Sequence, residues 1–199
     1  MGRRSDHSRE ELAAMIVAQG HRHMAEVGFA HFSSREVAKR IGYSVGTLYN
    51  VFGSYDRLVV AINTRTFDLW AAFLEARLDD NPKDRIAALV EGYFAFARDN
   101  LNIWMAIYDH RLPLGVPMPE DYAQQRAGLT EVVVREVAAV LPPHAASIAP
   151  RLARSLVATV HGHCTFALNG SFALLGETDP LEMAVARVRE SLIAAGASV

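Results

Sequence analysis

Apolar residues return every three or four positions along almost the whole chain, and nowhere do they alternate with polar ones over the length of a strand. That period is the mark of amphipathic α-helices, and glycine and proline cut it into separate segments. Ser8-Arg9-Glu10-Glu11 has the capping-box pattern, in which the Ser8 hydroxyl accepts from the Glu11 amide while the carboxylate reaches back. The helix it opens carries Leu12, Met15, Ile16, Met24 and Val27 at helical spacing and ends at Gly28. A second helix starts at Ser33 or Ser34 and stops at Gly42, and a third covers 45–51. A fourth follows Gly53-Ser54 and runs to about residue 78, carrying Leu58, Ile62, Leu69, Trp70 and Phe73. Asn81-Pro82 interrupts the pattern, with Pro82 suited to the first turn of the next helix, along which Ile86, Leu89, Val90, Tyr93, Phe94 and Ala97 recur. A shorter apolar helix covers 103–108, and 112–119, with three prolines and one glycine, reads as a loop. A helix over 120–141 ends at Pro142-Pro143, and two last helices at 147–169 and 180–195 flank a turn region. The expected fold is all-α, with about nine helices and no sheet.

Composition narrows the class of protein. With 51% apolar and 21% charged residues in 199, the chain is globular rather than disordered, and long enough to bury a substantial core. The net charge of −2 is unevenly placed: residues 1–57 carry eight Lys/Arg against six Asp/Glu, and the remainder twelve against sixteen. A mildly basic N-terminal module on a mildly acidic body fits a nucleic-acid reader without proving one. A single cysteine, Cys164, can form no intramolecular disulfide, which suits a reducing compartment. The first seven residues lack the apolar core of a signal peptide, and no apolar run approaches a membrane span. The expectation is a cytoplasmic protein with no membrane partner.

The segment from Ser33 to Phe52 carries the strongest signal. Counting from Ser34, Ala38 is fifth, Gly42 ninth and Leu48 fifteenth. A small residue lets two helices cross closely, a glycine adopts the positive φ of a tight turn, and a leucine packs the second helix on the first. Val37 and Ile41 complete this small core, and Ser44 can cap the third helix while leaving its N-terminus open to a phosphate. This is the pattern of a helix-turn-helix. The block G-Y-S-V-G-T-L-Y-N-V-F at 42–52 resembles the G-V-S-x-G-T-L-Y-x-H-F of the TetR/AcrR family of transcriptional regulators, and V-G-F-A-H-F-S-S-R-E-V-A before it is similar to that family's approach to the motif. The segment V-H-G-H-C-T-F-A-L-N-G at 160–170 resembles the tryptophan-histidine-glycine signature of one C-terminal subgroup, with Val160 at the tryptophan place.

The resemblance implies a DNA-binding domain at 1–56 and a helical effector-binding and dimerisation domain at 57–199. It implies a repressor that releases a near-palindromic operator on double-stranded DNA when a small, largely apolar or aromatic effector binds. Ser44, Val45, Gly46, Thr47, Tyr49 and Asn50 would face the major groove and its phosphates, and Ser34, Arg35 and Tyr55 would touch the DNA backbone. Val51 stands where the family often has histidine, and Tyr55 where it usually has lysine. The alternative reading is a helical ligand-binding protein whose DNA module has decayed.

In the second half, aromatic residues gather with a few polar ones, as small-molecule pockets require. Trp70, Tyr93, Trp104, Tyr108, His163 and Phe166 are the candidate pocket lining, although for any one of them taken singly a place in the helical core is the better reading. Leu152, Leu156 and Val160 form one stripe and Leu181, Val185, Val188 and Leu192 another, suiting a homodimer face, intrasubunit packing, or some of both. Pairing is needed because one reading head binds weakly, and two-fold symmetry would set the heads about 34 Å or more apart.

No cofactor or metal is expected. His21 with His23, and His161 with His163, are two residues apart on a helix, so each pair diverges by about 200° and cannot chelate. Cys164, on a helix expected to be buried, reads as a packing residue rather than a redox sensor. No nucleophile elbow, phosphate loop or dinucleotide fingerprint is present, which argues against an enzyme. Between Gly42 and Asp56 there is no Lys or Arg, so phosphate neutralisation falls to Arg3, Arg4, Arg35, Lys39, Arg40 and Arg57. The expected salt dependence of DNA binding is therefore shallow, with about two to four effective phosphate charges per subunit. A plot of log K against log salt checks this, and a slope near that of heavily basic repressors would contradict it.

Overall fold

Each helix end expected from a cap or a glycine is built from local hydrogen bonds in the structure, a computed structural model that describes residues 7–198 (of Asp121, the backbone alone). Among the described residues there are ten α-helices and no strand: α1 (Arg9–Val27), α2 (Ser34–Arg40), α3 (Val45–Phe52), α4 (Tyr55–Asp80), α5 (Arg85–Asp99), α6 (Leu101–Asp109), α7 (Glu120–Val140), α8 (Ala149–Leu168), α9 (Ser171–Leu174) and α10 (Pro180–Ala194). The capping box forms at both atoms: the Glu11 amide donates to Ser8 Oγ at 3.1 Å and the Ser8 amide to Glu11 Oε2 at 2.7 Å.

Two expectations are corrected. Pro82 is outside α5, because Asp84 caps that helix by accepting from the Ala87 amide at 3.1 Å. The region between the last two long helices is not all turn: the apolar Ser171–Leu174 segment, with Gly170 before and Gly176 after it, makes one helical turn.

The chain forms two compact units, 7–67 with 100–125, and 68–99 with 126–198. α4 is one unbroken helix whose first half belongs to one unit and second half to the other. In the first unit, Leu12, Ile16 and Met24 of α1, Val37 and Ala38 of α2, Leu48 and Phe52 of α3, Leu58 and Ile62 of α4, and Ile103 and Ala106 of α6 share one core. Each large apolar side chain so buried contributes about 1.5–3 kcal/mol. Directed hydrogen bonds then set where α6 lies. Asn63 Nδ2 donates to the Ala106 carbonyl at 3.0 Å, Asn102 Nδ2 to the Ala25 carbonyl at 2.7 Å, and His110 Nε2 meets Asp56 Oδ1 at 3.0 Å.

In the second unit, Trp70 is stacked on Phe96 with centroids 5.0 Å apart and stands edge-on to Tyr93 at 4.7 Å. Gly92 lets α5 approach α4 closely, since a Cβ there would meet Leu74 Cδ2 at 2.7 Å. Glu136, only 4% exposed, takes a bidentate pair of bonds from Arg85 at 2.7 and 2.9 Å and a third from Arg135. Arg135 also grips Glu75 through two bonds of 2.8 Å. Two carboxylates and two guanidiniums thus neutralise one another, and the Arg85 bond is the main reason the Glu136 carboxyl is held below its usual range.

His21 of α1 is an exception to this satisfaction of polar atoms. Its Nε2 is buried without a partner, and burial, reinforced by the charge of Arg65, lowers its pKa to about 4. The unfolded chain binds that proton near pH 6.5, so the native state loses stability as pH falls from 6.5 towards 4 and keeps all of it above 6.5. The expected loss between pH 7 and pH 5 is about 1–2 kcal/mol, measured by urea unfolding. His21→Leu should remove most of that pH dependence, and an unchanged dependence would contradict the assignment.

Candidate nucleic-acid interface

The bend between α2 and α3 is made by the backbone of six residues, 38–43. The Tyr43 amide donates to the Ala38 carbonyl at 2.9 Å and the Gly42 amide to the Lys39 carbonyl at 3.2 Å, while Gly42 has φ of 76°. This is the six-to-one closure that ends a helix at a left-handed residue. Ser33 Oγ accepts from the Glu36 amide to start α2, and Ser44 Oγ accepts from the Thr47 amide at 3.1 Å to start α3. Val37, Ala38 and Leu48 are buried across the bend, so the opposite face of α3 points outward.

The residues singled out from sequence divide accordingly. Gly46 and Asn50 are exposed on α3, as are Ser44 before it and Arg35 on α2. Thr47 is partly exposed, with its hydroxyl 2.9 Å from Ser44 Oγ. Val45 is partly buried against the core. Ser34 is only 8% exposed, and its hydroxyl shares a 3.0 Å hydrogen bond with that of Tyr49, which ties α3 to α2. Tyr55 packs against the core beside Phe32, and burial, more than the neighbouring Tyr49 and Asp56, raises its hydroxyl pKa.

The supply of positive charge differs from expectation. Arg40 is matched by Glu26 at 2.7 Å and Glu36 at 3.0 Å, so its charge is already balanced within the protein. Those bonds hold both carboxyls below their usual range. Arg35, Lys39 and Arg57 are exposed; Arg3 and Arg4 lie outside the described residues. The sequence reading missed Arg9, whose Nη2 donates to the Val51 carbonyl at 3.0 Å and the Asn50 carbonyl at 3.4 Å. It also missed His7, whose Nδ1 shares a 2.9 Å hydrogen bond with the Tyr43 hydroxyl. Neither contact leaves a spacing pattern, because each joins residues more than 35 positions apart.

The candidate pocket residues are not gathered into one site. In the second unit a cavity of about 40 Å³ is lined by ten aliphatic side chains and Tyr93. Of the six candidates only Tyr93 lines it, and its hydroxyl is 3.0 Å from His161 Nδ1. Trp70 is packed into the aromatic cluster beside Tyr93. Trp104 and Tyr108 belong to the first unit, edge-to-face at 5.3 Å, where Trp104 is fully buried. His163 is bonded to the Thr159 carbonyl at 2.9 Å, and Phe166 is 46% exposed. The stripes on the last helices divide between packing within the chain and exposed positions. Leu156, Val160, Val188 and Leu192 are buried within the chain where α8 packs on α10, and three of them line the cavity, so a second subunit could bury little more of them. Leu152, Leu181 and Val185 remain partly exposed, with Phe166, Leu168 and Ile193 more so. Cys164 is buried, which pushes its thiol pKa up to about 12 and leaves it inert at neutral pH.

Residues 16–62 match the family described as bacterial regulatory proteins, tetR family, and residues 86–190 match the tetracyclin repressor-like C-terminal domain. The HTH-type transcriptional regulator Rv1816 of Mycobacterium tuberculosis is 28% identical over 153 residues, which are 75% of this chain and 62% of that protein. The chain thus spans less than two thirds of that relative's length. Among solved structures, a protein of unknown function from Rhodococcus sp. RHA1 is similar over the full length of both chains, with a TM-score of 0.70 and 21% identity. The multidrug binding protein EbrR, complexed with imidazole, is similar over 94% of this chain and 96% of its own, with a TM-score of 0.61 and 21% identity. These two share the fold. With its helix-turn-helix matching one domain of the family and more than half its length matching the other, this chain belongs to the TetR family of bacterial transcriptional regulators.

Proposed function

We propose that the chain is one subunit of a homodimeric repressor that reads a near-palindromic operator with α3 and releases it when a small uncharged molecule enters the apolar cavity of the second unit. The observation that carries the first half is the outward face of α3: Gly46, Thr47 and Asn50 stand over a buried Leu48 on a helix too short to be displayed without that support. Val45 and the Thr47 methyl suit thymine methyl groups, and Asn50 suits an adenine edge or a phosphate. In functional terms, 1–56 would act as the reading head and 57–199 as the sensing and pairing domain. The half-exposed Leu152, Leu181 and Val185 with Phe166 and Ile193 would supply the pairing face on α8 and α10. Val160, His161 and Gly162 on α8 support placing the chain near the tryptophan-histidine-glycine subgroup.

The effector's chemistry is argued from the cavity. Ten of its eleven lining residues are aliphatic; the eleventh, Tyr93, is bonded to His161, whose pKa burial lowers further below neutrality. An ionised ligand would find no counter-charge there and would lose its hydration. At about 40 Å³ the cavity holds no more than a water or two, so an effector of ordinary size must select a more open conformer. It releases DNA only if it prefers that conformer. The fold shared with a multidrug binding protein complexed with imidazole is compatible with binding of a small molecule.

A gel-shift assay with DNA from upstream of the chain's own gene tests this reading, using neutral apolar compounds and their charged analogues as releasing agents. Retarded DNA freed by the neutral compounds alone is the expected result. Val157→Phe, which fills the cavity, should keep DNA binding and raise the concentration for half-release about tenfold, the equivalent of 1.4 kcal/mol of lost affinity. Release by charged analogues alone, or unaltered release from Val157→Phe, would contradict the cavity assignment.

A further inference from the structure

The N-terminus of α1 touches α3 and its leading turn at both ends. His7, the last residue before the Ser8 cap, shares its hydrogen bond with Tyr43, two residues ahead of α3. Arg9, the first residue of α1, bonds the carbonyls of Asn50 and Val51 in the last turn of α3. Between them the capping box of Ser8 and Glu11 fixes where α1 begins, and Leu12 and Ile16 continue into the core that holds Leu48 and Phe52.

The need for such support follows from the composition of α3. It has eight residues, among them two valines, a threonine and a glycine, which is a poor helix former at a length where helices are marginal even in good sequences. An α-helix leaves its last four carbonyls without partners inside the helix. Here the Gly53 amide takes that of Tyr49 at 2.7 Å, and Arg9 takes the next two. A guanidinium at this end also meets the negative pole of the helix dipole.

We propose that Arg9, with His7 as the second jaw, is a positioning residue that sets the angle at which α3 presents Thr47 and Asn50 to base edges. Its charge serves the carbonyls of α3 and does not neutralise a DNA phosphate. This rests on α3 being the reading helix, as proposed above, and adds to it a determinant of specificity on a helix that reads no bases. Base-edge contacts depend on angle and distance, whereas phosphate contacts tolerate small displacements. Loosening the clamp should therefore weaken specific binding while leaving non-specific binding in place.

The test uses the full-length wild type, Arg9→Gln and Arg9→Ala, with a duplex selected by the wild type from random sequences and a scrambled duplex of equal length. Fluorescence anisotropy between 50 and 200 mM KCl gives affinity and salt slope for each. The expected result for Arg9→Gln is a five- to tenfold loss on the selected duplex, on the order expected for a lost dipole-assisted contact. The scrambled duplex should bind as before, with both salt slopes unchanged. An equal loss on both duplexes, with a slope shallower by about one charge, would make Arg9 a phosphate contact and overturn the proposal. An unchanged ratio of specific to non-specific affinity would overturn it as well. If Arg9→Ala unfolds, as circular dichroism would show, Arg9→Gln decides, because its amide keeps a donor on a shorter neutral arm. Failure of the wild type to enrich any sequence would overturn the DNA-reading function itself, and the clamp with it.

Discussion

Burial of Leu48 against Val37 and Ala38 across the Gly42 bend is the contact on which the reading head depends. A helix of eight residues with two valines cannot persist on its own propensity. Only packing can hold it, and packing on one face determines which face is displayed. The left-handed φ of Gly42 brings the two helices to the crossing at which Ala38 is small enough to pass. Caps at Ser33 and Ser44 and the closure at Gly53 then satisfy the backbone groups that such a short element would leave bare.

Charge is used sparingly around this head. Arg40 balances Glu26 and Glu36, Arg9 serves two carbonyls, and the recognition helix carries no cation. Arg35, Lys39 and Arg57 remain exposed around it, so any ionic attraction to DNA would rest on these few cations. The second unit follows the same economy. The buried carboxylate of Glu136 is matched by Arg85 and Arg135, and the cavity in the same unit is lined by aliphatic side chains and Tyr93, whose hydroxyl is bonded to His161.

The helical architecture and the bend were legible in the sequence because their causes are local. Periodicity, capping boxes and glycine turns act within four or five residues, and Ser8, Gly28, Gly42 and Gly53 all end or begin helices where expected. Pro82 misled because a proline suits a first turn but does not demand one, and Asp84 was the better cap. The pocket was poorly legible for a different reason: Trp104 and Phe166 have the same composition signal as a pocket residue, yet one fills a core and the other faces solvent. Likewise the stripes on α8 and α10 are real, but an apolar stripe does not say whether its partner is in the same chain. Arg9 and His7 were invisible because their partners lie far away in sequence.

The central claim is that the outer face of α3 reads bases. Selecting duplexes from a random pool with the wild type and with Asn50→Ala, and sequencing both sets, addresses it directly. The account predicts a two-fold symmetric motif for the wild type and, for the variant, lost preference at one base pair in each half with the rest unchanged. The same motif recovered undiminished from both proteins would contradict it.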